Sequence, residues 1–169
     1  PSAVGDTHTF TTDDREVNAT LLAVTEHTYF WVEDGVAVRK SELTAVADRF
    51  ENELYPIVTG LFGREWSPGV DGDPHFSVLH LAETSADELG YFTSVDEYPA
   101  SFYSDSNEQE IIYLNMAQLD LGDDLYYGTL VHEFQHLIHW HYDANETSWL
   151  DEGVAQLAER ASDLNTFDV

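Results

Sequence analysis

The chain has 169 residues, 33 acidic and 6 basic, for a net charge of −27, with 43% hydrophobic residues, 13% aromatic and no cysteine. That length suits one domain with a sizeable core, and the aromatic and apolar content excludes a disordered acidic polymer. The charge excludes nucleic acid and anionic membrane as partners, which require a positive face, and the missing cysteine excludes thiolate catalysis and cysteine-ligated zinc.

An acid excess on a globular composition has to lie on the surface, where self-repulsion is relieved by salt. It predicts a protein from a halophile; an acidic extracellular protein in a calcium-rich medium is the other reading. No stretch is apolar enough to span a bilayer. The chain opens on Pro1, not Met, which predicts a processed species whose targeting segment is gone.

Residues 1–15 are polar and threonine-rich and read as an extended arm. Residues 17–24 and 28–33 carry the β-branched and aromatic residues of strands, bounded by Asp34-Gly35, a hairpin-type turn. Ser41 opens a helix with Leu43, Val46, Ala47, Phe50 and Leu54 at helical spacing, and Pro56 near its end predicts a kink. Trp66-Ser-Pro-Gly-Val-Asp-Gly-Asp-Pro74 is a loop by its punctuation. Asp71 and Asp73 there read as a tight turn, with calcium binding as the alternative. His75 to Leu81 is a strand, burying Phe76 and Val78 on one face and Leu79 and Leu81 on the other. His75 and His80 read as structural. Gly90 to Val95 is a short strand. Asp105-Ser-Asn-Glu108 with Glu110 forms a second oxygen-rich calcium candidate, and residues 110–116 form another strand.

Leu121-Gly-Asp-Asp then leads into a helix over Gly128-Thr-Leu-Val-His-Glu-Phe-Gln-His-Leu-Ile-His-Trp-His141. Leu130, Phe134, Leu137 and Ile138 give it an apolar face. His132 and His136, four residues apart, stand about 40° apart around the axis and one turn above the other. Both imidazoles can therefore reach one zinc ion, with Glu133 placed as a general base on the metal's water. His139 lies on the same side but about 10 Å from His132 along the axis, too far to share a metal with it. It reads as a cleft residue behind the ligands. Ser148 with Asp151 has the form of a capping box and starts a further helix. Glu152 in its first turn is the best-placed third zinc ligand, and Asp151 is the rival.

His132-Glu133-Phe-Gln-His136 followed by Trp149-Leu-Asp-Glu-Gly153 resembles the gluzincin class of zinc metallopeptidases. The segment Trp66 to Pro74, the run Tyr126-Tyr-Gly-Thr-Leu-Val-His132 and Trp149 to Gly153 are similar to secreted hyicolysin-type or immune-inhibitor-A-like peptidases, over residues 17–160. The metzincin pattern is absent, because it needs glycine at 139 and histidine at 142, where this chain has His139 and Tyr142. The resemblance implies Glu152 as third ligand and Glu159 as an acid supporting a ligating histidine from behind. It implies that the strand at Tyr91, Phe92 and Thr93 holds an extended peptide by its backbone. It also implies a tyrosine or histidine donor to the oxyanion, usually beyond the third ligand. Tyr126, Tyr127 and Tyr142 are near in sequence.

The expected fold is α+β and zincin-like, a single domain over residues 1–169. It has a twisted mixed sheet of about four or five strands, a backing helix, an active-site helix and a ligand-bearing helix after it. The expected function is secreted, salt-adapted, zinc-dependent endopeptidase action on protein or peptide substrates, with calcium as a second candidate ion. Two alternatives stand beside it: a zinc-loaded core cut from a longer chain and weakly active alone, or a non-enzymatic acidic cell-surface module with structural metal.

Overall fold

The computed structural model describes residues 1–143 and 148–164, with the backbone alone at 148–152 and 154. The strands are β1 (Thr7–Thr11), β2 (Glu16–Val24), β3 (Thr28–Glu33), β4 (Phe76–Leu81), β5 (Gly90–Phe92) and β6 (Ile111–Asn115). The helices are α1 (Lys40–Arg49), α2 (Tyr55–Phe62), α3 (Asp124–Tyr142) and α4 (Ser148–Ala161). The six strands form one sheet in the order β1-β2-β3-β4-β6-β5. Pairs β3–β4 and β4–β6 are parallel and the other three antiparallel, so the architecture is the expected α+β type with a mixed sheet. The additional strand is β1. Thr7 to Thr11, read as part of an arm, pair along β2 and extend the sheet edge.

The central parallel strands are buried on both faces, which explains why β4 and β6 read as nearly unbroken apolar runs. β2 alternates instead, with Val17, Ala19 and Leu21 inward. A bulge between Leu21 and Ala23 shifts its register on β3 and turns Ala23 toward the opposite face. β2 and β3 are joined through Thr25, where the Thr25 amide donates to the Thr28 carbonyl. Asp34-Gly35 therefore follows the hairpin and leads the chain away toward α1.

The helical run from Lys40 to Phe62 widens to a π-helical turn at Phe50–Leu54, ending two residues before Pro56. Proline has no amide to donate and its ring crowds the preceding turn, and the wider turn accommodates both. Leu43, Val46, Ala47, Phe50, Leu54 and Val58 from this run bury one face of the sheet together with α3. Phe134 of α3 lies where the layers meet, stacked on Phe76 of β4 at 4.8 Å and packed against Phe50 and Tyr55, each at 5.5 Å. The other face of the sheet buries Phe10, Leu21, Trp31, Leu79, Leu81 and Tyr113. The 93–110 connection is tied to it, because Asn107 hydrogen-bonds both the backbone of Thr11 and the hydroxyl of Tyr113.

His80 is the polar bolt between the sheet and α3. It is fully buried on β4, with Nδ1 at 2.7 Å from the Trp31 carbonyl and Nε2 at 2.8 Å from the Tyr126 hydroxyl. The Nδ1–H donates to the carbonyl and Nε2 accepts from the tyrosine, which is the neutral ring. Burial lowers its pKa from 6.5 to about 4, with the Trp31 carbonyl opposing in part. The unfolded chain takes up this proton below its ordinary pKa while the folded chain refuses it. The stabilisation is therefore complete above pH 6.5 and is lost as pH falls through 4. The linkage is on the order of 3 kcal/mol. Unfolding followed between pH 7 and pH 5 in constant salt should show the wild type losing stability. His80→Gln should start lower and show a flatter profile over that interval; an unchanged slope would assign the loss to other groups.

Candidate active site

Helix α3 is started by Asp123, whose carboxylate accepts the Tyr126 amide at 2.7 Å. Tyr126, Leu130, Phe134, Leu137 and Ile138 face the core, fixing its rotation about its own axis. That rotation turns Thr129, His132 and Glu133 to a cavity of about 200 Å³ beside β5, completed by Leu89, Gly90 and Glu159. His132 and His136 meet with their Nε2 atoms 3.0 Å apart, the rings edge to face at 4.7 Å between centroids. Two nitrogen ligands around tetrahedral zinc are separated by roughly 3.3 Å. A pair of imidazole nitrogens so close needs a proton between them or a cation before them.

Helix α4 packs on α3, with Ala158 buried in the core that α3 also lines, and carries Glu159 to His132. The Glu159 Oε1 lies 2.7 Å from His132 Nδ1, and the carboxylate is 3% exposed. A carboxylate at Nδ1 holds the proton there and leaves the Nε2 lone pair directed at His136. The donor set thus suits zinc: two convergent imidazole nitrogens, one with its tautomer set from behind. Glu133 is buried at 7% exposure and shares the cavity with His132.

Glu152 is in the first turn of α4, but its side chain lies outside the described residues, as do those of Ser148 and Asp151. His139 is half-buried one turn beyond His136 and is not among the residues lining the cavity. β5 is the end strand of the sheet. It pairs antiparallel with β6 on one side and, among the described residues, with no strand on the other. Tyr91 turns away from α3 and stacks on Tyr113 at 4.3 Å, while Phe92 packs against the helix-side core. Thr93 lies past the end of the strand, which is shorter than the 90–95 expectation. Its hydroxyl accepts the Val95 amide and caps a 3-10 turn over Ser94–Glu97.

The tyrosines near the motif are engaged elsewhere. Tyr126 holds His80, Tyr127 lies under the Arg49 guanidinium, and the Tyr142 hydroxyl accepts the Arg64 amide. The Asp71 carboxylate accepts the Asp73 amide, and Asp73 is occupied by His75, Tyr29 and the N-terminus, as a tight turn requires. Asp105 bonds Ser104 and Glu108 accepts the Ala100 amide, so these two carboxylates of the second oxygen-rich loop turn to their own chain, while Glu110 accepts the Val70 amide from the 66–75 loop. A surface group absent from the sequence reading, Glu26, His27 and Glu51, brings three ligand atoms within 4.8 Å of one another. His27 and Glu51 already bond at 2.6 Å.

Gly90 and Thr129 were also not legible as site residues. Thr129 is one turn before His132 and Glu133 on α3, so helical spacing carried a signal for it. For Gly90 the reason is tertiary. A Cβ there would stand 2.8 Å from the Tyr113 carbonyl oxygen, 2.9 Å from Thr129 Cγ2 and 3.2 Å from Glu133 Cγ. Gly90→Ala should therefore push β5 off α3 or off β6, at about 1–3 kcal/mol for overpacking against backbone. Thermal unfolding should fall by several degrees, and an unchanged midpoint would mean the strand is free to move.

No protein-family profile matches the chain. It is 25% identical over 181 aligned positions to the neutral metalloprotease ShpI of Staphylococcus hyicus, an alignment covering 94% of this chain and 40% of that protein. The chain thus spans about 40% of the length of the curated relative it matches, and the likeness is to a metalloprotease.

Proposed function

We propose that this domain is a zinc-dependent endopeptidase of the gluzincin type, secreted and adapted to high salt, acting on protein or peptide chains. The observation that carries the reading is the convergence of His132 and His136 at 3.0 Å between Nε2 atoms, with Glu159 behind the first. The distant likeness to a metalloprotease supports the same reaction class. His132, His136 and Glu152 are the proposed zinc ligands, and two imidazoles with one carboxylate leave the fourth position open. Zinc so held supplies a Lewis acid and a water acidified toward neutrality.

The remaining work falls to the chain itself. Glu133, in the cavity wall beside His132, takes the proton of the attacking water and returns it to the leaving amine. Glu159 keeps the His132 proton on Nδ1 and so keeps Nε2 basic. The edge of β5 that no described strand covers, with Tyr91 and Phe92 on it and Thr93 just past its end, offers backbone groups to an extended substrate, which adds as a further strand. Gly90 lets that edge lie close to α3, so a peptide held on it runs past Glu133. His139 is proposed as a supporting residue at the cleft end of α3. The excess of acid over base on the surface accounts for salt adaptation, since screening relieves its self-repulsion.

Metal analysis and casein hydrolysis in molar salt test the proposal. One zinc per chain and hydrolysis abolished by a zinc chelator are expected. Glu133→Gln should retain zinc and lower kcat/KM by about 10²–10⁴-fold. Full hydrolysis in that variant, or no transition metal in protein folded in salt and never chelated, would sink the endopeptidase reading. Zinc bound without hydrolysis would leave a metal-holding core with no activity of its own. Glu159→Gln should weaken zinc affinity by about 10–100-fold while the fold is kept. Equilibrium dialysis against a zinc buffer reads this directly, and an unchanged affinity would remove Glu159 from the site.

A further inference from the structure

Two carboxylates are buried together away from the histidine site, where the loop before β4 meets the connection from β5 to β6. Glu97 ends the 3-10 turn after β5 and is 2% exposed; Glu110 directly precedes β6 and is 1% exposed. Glu110 Oε1 accepts the Val70 amide at 2.9 Å. Its carboxylate rests against Gly69, whose φ of 71° and missing side chain leave the space it fills, since any Cβ there would overlap it. Among the described residues, neither oxygen of Glu97 meets a hydrogen-bond donor. The Glu97 carboxyl faces that of Glu110, and Asp71 adds its charge to both. Burial pushes both carboxyls up: the Glu110 charge adds to it at Glu97, which reaches about 9, while at Glu110 the Val70 amide opposes it and the group reaches about 6.

The neighbouring residue makes the contrast plain. Asp96 is as deeply buried, but its oxygens accept from the Tyr113 hydroxyl at 2.6 Å, the Asn107 amide at 2.7 Å and the Asn107 side chain at 3.0 Å. Glu97 receives nothing comparable. Among the described residues, the ion pairs of the arginines and the N-terminus end on Glu33, Glu42, Glu53 and Asp73. Burying a carboxylate with neither donor nor cation is strongly unfavourable. One shared proton would satisfy one oxygen of each partner and leave the other Glu97 oxygen bare. A cation satisfies both.

We propose that Glu97 and Glu110 are ligands of a buried, hard divalent cation of the calcium class, distinct from the histidine site. All the donors are oxygens, which selects calcium over zinc, and backbone carbonyls and waters would complete its shell. The cation ties the 66–75 loop to the turn that directly follows β5. It therefore stiffens the turn next to the β5 edge that no described strand covers.

The test is thermal unfolding of the zinc-saturated protein during a calcium titration in molar NaCl, where diffuse binding to the acidic surface is screened. Wild type and the control Glu51→Gln, which alters the surface Glu26–His27–Glu51 group, should both rise in unfolding temperature and saturate. Glu97→Gln should need at least about tenfold more calcium for the same response. Equilibrium dialysis of wild type should find one tightly held calcium per chain. A calcium-independent wild type, or Glu97→Gln responding as wild type does, would overturn the proposal. So would a stabilised, calcium-blind Glu97→Gln, which would make the pair a proton-sharing dyad, or loss of the response in Glu51→Gln. If Glu97→Gln fails to fold, the dialysis decides alone, and less than one tight calcium per chain overturns the site. Hydrolysis is not a readout, so the result is independent of the endopeptidase reading.

Discussion

Helix α3 has to serve as a wall of the core and as the carrier of polar chemistry, and its 3.6-residue period is what allows both. Leu130, Phe134, Leu137 and Ile138 are buried against sheet and helices, while Thr129, His132 and Glu133 come round to the cavity. The helix cannot slide without withdrawing Phe134 from between Phe76, Phe50 and Tyr55, or rotate without parting Tyr126 from His80. Close packing therefore sets where the two imidazoles stand. A site on such an element is held more precisely than one on a loop.

The site is completed by elements from both sides. From one side α4 delivers Glu159 to the back of His132, with the small, fully buried Ala158 in the core it shares with α3. From the other side β5 comes against α3 at Gly90, the only residue type that leaves room for the Thr129 and Tyr113 atoms there. Small residues on both flanks bring large functional groups together.

Buried acids recur through this structure, and each has a different counterpart. Glu159 meets an imidazole, Glu65 accepts the Tyr55 hydroxyl at 2.9 Å, and Asp96 accepts a hydroxyl and two amide groups. Glu97 and Glu110 meet each other. A chain with 33 acidic residues and 6 basic ones cannot pair its buried carboxylates with arginine or lysine as a rule. It uses tyrosine, histidine and backbone amides instead, and among the described residues none of these reaches Glu97.

What the sequence determined by itself was whatever depends on local period. The α+β class, the α3 helix with its two faces, the split of Phe76 and Val78 from Leu79 and Leu81 on β4, and the juxtaposition of His132 with His136 all follow from spacing within one element. Features that depend on distant chain were decided only by the tertiary structure. Thr7 to Thr11 became a strand because β2 offered an edge, and the bulge at β2 exists to match β3. Gly90 matters because the Tyr113 carbonyl and Thr129 approach it, and Glu97 because the fold buries it opposite Glu110 with no donor among the described residues. An amino-acid pattern encodes which face of an element is apolar. The residues that meet that face are fixed by packing across the whole chain, where no local period reaches.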